Sequence, residues 1–168
     1  ERAISALKEI EENAEGRLEV IHGDALKVDE SQFGEQLYVI ANLPYNVGTK
    51  LVLKWLEKPQ LFSSITIMLQ KEVVQRLTAQ PKDANYGRLS VITQWLSRAE
   101  QQFDLPPEAF FPPPKVTSAV VNLTPHAAPL FECSRENLEK VTQAAFGLRR
   151  KMIRQSLKSL IPDLEANL

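Results

Sequence analysis

The chain has a single cysteine and two histidines, and no apolar run long enough to cross a membrane. Each shortage removes a class of function. Cys133 has no partner for an internal disulfide framework and cannot build a multi-cysteine zinc site, which suits a reducing cytoplasm. His22 and His126 stand apart without metal-ligand spacing, so no metal chemistry is assigned to either. No stretch approaches the roughly 18 apolar residues of a membrane span. No basic-then-apolar leader precedes a small-residue cleavage site, so a cytoplasmic location without a membrane partner is expected. The six glycines, Gly16, Gly23, Gly34, Gly48, Gly87 and Gly147, are scattered, and no G-x-G-x-G stretch exists. A net charge of -1 is silent about nucleic acid, although its distribution is not.

What is present describes an ordinary globular protein. The 168 residues are 43% hydrophobic and 24% charged, which fits one or two domains. Ile4, Leu7 and Ile10 lie at helical spacing. "RLEVIHGD" (17–24) reads as a short strand, and "LYVIANLP" as a second strand buried on both faces. Gly48, Leu51, Val52 and Trp55 share one helical face before Pro59. "SITIML" reads as a buried strand and "KEVVQRLTA" as a helix. Leu89, Ile92, Leu96 and Ala99 form another helical stripe, and "EQQFDL" and "KVTSAVVNL" read as two more strands. This alternation predicts parallel βαβ units, hence an α/β sheet with helices on both faces. The aperiodic "TPHAAPLFEC" (124–133) marks a domain boundary, giving domains 1–125 and 126–168. Beyond it Ser134 can cap a helix carrying Leu138, Val141, Ala145 and Leu148, followed by a second with Ile153, Leu157 and Leu160.

The junction "VIANLPYN" (39–46) concentrates the chemistry. Ligands of open α/β sheets sit beyond the carboxyl ends of strands, where Asn42, Leu43, Pro44 and Tyr45 fall. Proline sets its own φ and pushes Leu43 into an extended conformation, so the Leu43 carbonyl has a set direction. The Asn42 carboxamide offers a second acceptor oxygen. Two such acceptors can grip the two hydrogens of an amino group while the tyrosine stacks on the base bearing it. That suits methylation of an exocyclic amine, in which positioning and electrostatics dominate. A plain turn after a strand explains the tetrapeptide equally well.

"NLPY" resembles the signature loop of adenine-N6 methyltransferases that use S-adenosylmethionine. "MLQKEVVQRLTAQPKDANYGRLSV", "AFFPPPKVTSAVV" and "AFGLRRKMIRQSLK" resemble, in order, further segments of the ribosomal RNA adenine dimethyltransferases. Within that group the likeness is to the small-subunit enzymes of the KsgA/RsmA family, which dimethylate two adjacent adenosines of 16S RNA. The resemblance implies a Rossmann-like methyltransferase sheet with a small C-terminal helical domain. It places Asp24 against the adenine amino group of the cofactor, although the same aspartate can simply cap a turn. Asn42 lies beside cofactor and target amine, with the Leu43 carbonyl as second acceptor and Pro44 as the rigid element. Tyr45 stacks on the target adenine and Phe110 supplies a second ring; Phe111 has a core reading instead. Arg149, Arg150, Lys151 and Arg154, with Lys158, spread along one side of a helix and contact phosphates of a folded RNA. Without the resemblance, that basic run reads as a solvated face. Lys71, Arg76, Lys82, Arg88 and Lys115 are candidates to extend the surface.

The family's pattern also includes a glycine-rich turn for the methionine end of the cofactor, which these residues lack. The chain therefore reads as a fragment lacking the N-terminal glycine-rich motif, expected to be inactive alone and to bind cofactor poorly. Uncovered apolar faces favour its self-association. The expected function of the parent is methylation of small-subunit ribosomal RNA, acting on the ribosomal RNA or the pre-30S particle during ribosome biogenesis. The alternatives are a 23S RNA methyltransferase of the macrolide-resistance type and a non-catalytic RNA-binding assembly factor.

Overall fold

A computed structural model describes residues 2–148, 151–158 and 160. The chain forms two compact units, one up to Glu30 and one from Ser31 onward.

In the first unit α1 spans Arg2–Glu12, as its helical spacing predicts. Beyond it the expected strand at 17–24 is absent. A strand exists only when its backbone groups find a ladder, and these residues pair with none of the four strands described. Instead the Glu11 carboxylate accepts from the Val20 amide at 2.7 Å. Leu18 and Ile21 stay exposed.

The second unit carries a four-stranded sheet in the order β1-β2-β4-β3, with β1 at Leu37–Asn42, β2 at Phe62–Gln70, β3 at Ser97–Leu105 and β4 at Ser118–Pro125. Between β1 and β2 runs α2 (Gly48–Trp55), and the two strands are parallel, as a helical crossover requires. Two helices, α3 (Lys71–Thr78) and α4 (Arg88–Leu96), lead from β2 to β3. The expectation of a parallel sheet fails at β4, which is antiparallel to both β2 and β3. Residues 106–117 join β3 to β4 without an α-helix, and a helix-free return between neighbours favours the antiparallel pairing. Ala99 belongs to β3 rather than to the preceding helix. The backbone is already extended at Ser97, whose hydroxyl donates to the Thr93 carbonyl at 2.9 Å.

The core lies on one face of this sheet. Ile65, Ile67 and Leu69 of β2 stand beside Leu123, Val121 and Ala119 of β4, all fully buried. All four residues of the predicted α2 face, Gly48, Leu51, Val52 and Trp55, are buried. On the other face Asn122 donates to Ser64 at 2.7 Å and Thr66 at 2.8 Å. Tyr38 is 75% exposed there and Ile40 87%, so β1 is not buried on both sides. It is an edge strand of this sheet, and its even-numbered side chains meet little else. The core thus draws on one face, rather than on helices covering both.

After β4, α5 spans Arg135–Gly147 and α6 Ile153–Leu157. Ser134 caps α5 as expected, accepting from the Asn137 amide at 3.2 Å. Its buried side is Leu138 and Thr142, whereas Val141 and Leu148 are exposed. The helical stripe gave the spacing correctly but could not say which arc meets α4.

Thr93 of α4 is fully buried, and its hydroxyl has no hydrogen-bond partner among the described residues. Thr93→Val keeps the shape and removes the desolvated hydroxyl. We expect about 1 kcal/mol of added stability, read as a melting temperature higher by roughly 2–4 °C.

Candidate functional site

The strand β1 ends at Asn42, paired with Met68 of β2. The chain stays on the sheet for one residue more, because the Leu43 amide donates to the Met68 carbonyl at 3.4 Å. Leu43 is buried, which anchors the loop, while Asn42 is exposed. Pro44 then turns the chain, and its carbonyl accepts from the amides of Val47 and Gly48, each at 3.1 Å. The loop runs directly into α2. Gly48 sits so close to β2 that a Cβ there would overlap the Leu69 side chain. Absence of a side chain at Gly48 lets α2 lie against the sheet and sets where the loop is held.

Tyr45 reaches across to β4, where its phenol oxygen lies 2.8 Å from Ser118 Oγ. The opposite wall comes from the segment between β3 and β4. A single 3-10 turn, Pro107–Ala109, ends at Phe110, whose amide donates to the Pro107 carbonyl at 3.1 Å. A hollow of about 330 Å³ results, with Asn42, Leu43, Pro44 and Tyr45 on one side. Phe110, Pro112 and Pro114 line the other side and Met68 also borders it. All five residues singled out from the sequence for the target amine thus meet in one hollow. Phe111 is not core: it is 100% exposed. With Phe110 half-buried against the hollow, its neighbour is turned out to solvent.

Sequence reasoning missed Met68 and Ser118. Met68 reads there only as a residue of an apolar strand. Ser118 falls in "VTSAVV", whose alternation signals a strand and nothing more.

Lys71, Lys151 and Arg154 of the second unit are not among the residues that line this hollow. Asp24 lies in the N-terminal unit and caps the 3-10 turn Ala25–Lys27, its Oδ1 accepting from the Leu26 amide at 3.0 Å. Arg149 and Arg150 lie outside the described residues. Lys151 and Arg154 are exposed, but they do not share one helix: the chain bends at Lys151, and Met152 is extended before α6 begins. The Lys71 ammonium pairs with Asp104 at 2.6 Å. His126 faces the Gln94 carbonyl at 3.2 Å, and no cluster of metal-ligating side chains exists among the described residues. A second hollow of about 350 Å³ lies between Leu56, Pro59, Trp95 and Pro129. Glu57, Gln60 and His126 also line it, and the Arg135 guanidinium at its edge holds Glu139 at 2.9 Å.

A mixed sheet of this order, with an acceptor-bearing loop after β1, has the Rossmann-like methyltransferase fold. It superposes with a TM-score of 0.74 and 27% identity on a dimethyladenosine transferase from Plasmodium falciparum, covering 95% of this chain and 57% of that one. The 23S rRNA methyltransferase ErmE matches with the same TM-score and identity, over 94% of this chain and 63% of that one. The chain belongs to the ribosomal RNA adenine dimethylase family, which matches residues 3–168. It is 55% identical over 164 residues to ribosomal RNA small subunit methyltransferase A of Rhizobium johnstonii, covering 95% of this chain and 59% of that protein. The corresponding protein of Azorhizobium caulinodans is 54% identical over 167 residues, 96% of this chain and 57% of its own length. The chain therefore spans somewhat under two thirds of these relatives.

Proposed function

We propose that the full-length protein transfers methyl groups from S-adenosylmethionine to the N6 nitrogens of adenosines in small-subunit ribosomal RNA. The observation that carries this reading is the convergence of Asn42, the Leu43–Pro44 turn, Tyr45 and Phe110 on one hollow at the end of β1. An extruded adenine lies between the two rings, each aromatic contact offsetting part of the few kcal/mol of unstacking. The Asn42 carboxamide oxygen and the Leu43 carbonyl accept the two amine hydrogens. This draws the nitrogen lone pair out of conjugation and aims it at the reactive methyl, without a strong base. S-adenosylmethionine supplies an electrophilic methyl on a positively charged sulfur. Asp24 caps its turn through one carboxylate oxygen and keeps the other for the amino group of the cofactor's adenine.

Residues 1–125 then belong to the catalytic domain and 126–168 begin a helical domain. There Arg149, Arg150, Lys151 and Arg154 contact RNA phosphates, with the small-subunit particle in the cytoplasm as partner. Exposed Tyr38, Ile40 and Phe103 support self-association of the chain on its own, which sedimentation at two concentrations tests. Relatedness to ErmE favours one second reading, methylation of large-subunit RNA. Methyl transfer to small-subunit particles, compared with bare large-subunit RNA, separates the two. Transfer only to the latter overturns the first reading, and no transfer to any RNA leaves a non-catalytic assembly factor.

Tyr45→Ala and Phe110→Ala each remove one stacking face worth roughly 1–3 kcal/mol, so each lowers kcat/KM by about 5- to 150-fold. Steady-state kinetics on the preferred RNA check this.

A further inference from the structure

Ser118 carries no role in the chemistry described so far, yet its surroundings single it out. It opens β4, the strand held between β2 and β3, and stands opposite Gln70 on one side and Leu105 on the other. Its side chain has no exposed surface at all. Its hydroxyl lies 2.8 Å from the phenol oxygen of Tyr45, a residue 73 positions earlier in the chain. Tyr45 itself is 38% exposed and sits in a loop whose own anchors, the buried Leu43 and the turn at Pro44, hold backbone rather than ring. A tyrosine on a loop has two free side-chain torsions, and stacking on a base needs one setting of both. Among the described residues, the bond to Ser118 is the only hydrogen bond reaching the far end of that ring.

We propose that Ser118 is a positioning residue that pins the phenol of Tyr45, so that the ring face stands ready before the adenine arrives. The inference rests on the target-adenine reading of the hollow and deepens it. The tether runs from the middle of the sheet, so the ring inherits the rigidity of β4 rather than the mobility of its loop. It also joins the "NLPY" and "VTSAVV" segments, far apart in sequence, into one device. A preorganised ring spares the ordering cost when base and methyl must be aligned. Its loss therefore falls on the chemical step more than on the capture of RNA, which the proposed phosphate contacts carry.

The test is a kinetic cycle in the full-length protein with Ser118→Ala, Tyr45→Phe and the double variant, on the RNA substrate that the wild type methylates. Ser118→Ala is expected to lower kcat about 5- to 20-fold with KM for RNA within about twofold of wild type. Tyr45→Phe is expected to act similarly, and the double variant to lose no more than the worse single one. A tether broken from either end is broken once. Wild-type kcat in Ser118→Ala overturns the proposal, and so do losses that multiply in the double variant. A fall confined to KM overturns it as well. Thermal melts accompany each variant. Should Ser118→Ala not fold, Tyr45→Phe decides alone, because Tyr45 lies in a loop and is 38% exposed: unchanged kcat overturns the tether and a fall in kcat at constant KM supports it. Absence of adenine methylation by the wild type sinks the underlying reading, a result distinct from all of these.

Discussion

In the full-length protein Asn42→Ala is expected to abolish most methyl transfer, with kcat lower by about 100- to 1000-fold and RNA affinity changed by less than about threefold. In the proposed reading the carboxamide oxygen is one of two preorganised acceptors for the amine, and removing one such group from a polar constellation aimed at a transition state costs roughly 2.7–4 kcal/mol. The side chain is exposed at the end of β1 and lines the hollow, so little folding energy depends on it. Leu43 stays buried and its amide stays on Met68, so the backbone acceptor survives in the variant. Steady-state rates at saturating RNA, together with a direct RNA titration, make the measurement. A kcat within threefold of wild type removes Asn42 from the chemistry.

Gly48→Val destabilises the chain by about 3 kcal/mol, seen as a melting temperature lower by roughly 6–12 °C. A first side-chain carbon at this position would overlap Leu69 Cδ2, and Leu69 is only 1% exposed, so it has nowhere to go. Gly48→Ala is milder, because the gain in helix propensity, up to about 1 kcal/mol, offsets part of the overpacking. Adding Leu69→Ala, itself worth about 2–5 kcal/mol in a core, relieves the overlap. The Gly48→Val/Leu69→Ala pair therefore loses less than the sum of its parts. Since α2 starts just after the Asn42–Tyr45 loop, Gly48→Val is also expected to lower methyl transfer by the full-length protein in any fraction that remains folded. An unchanged melting temperature would mean that α2 and β2 stand further apart.

The residues that line the hollow carry local sequence signals, but its mechanics do not. The apolar run before Asn42 and the proline after Leu43 announce a strand ending in a rigid turn. The aromatics of "AFFPPPK" announce a second wall only once the family resemblance is seen. Which phenylalanine faces inward is a different matter. Phe110 lines the hollow and Phe111 is fully exposed, a choice made by how the turn Pro107–Ala109 delivers the chain. Ser118 was invisible for a similar reason: its meaning is a contact across 73 residues, and its local pattern is that of any strand.

Helical periodicity and turn chemistry act over a few residues, so the sequence by itself determined α1, the buried face of α2, the Ser134 cap of α5 and the rigid N-L-P-Y turn. Pairing between strands is non-local, because a backbone ladder needs a neighbour that no short window contains. Only the tertiary structure decided that residues 17–24 form no strand, that β4 runs antiparallel, and that β1 leaves Tyr38 and Ile40 exposed. It alone brought the Tyr45 phenol to Ser118, through the register that places the start of β4 beside the end of β2.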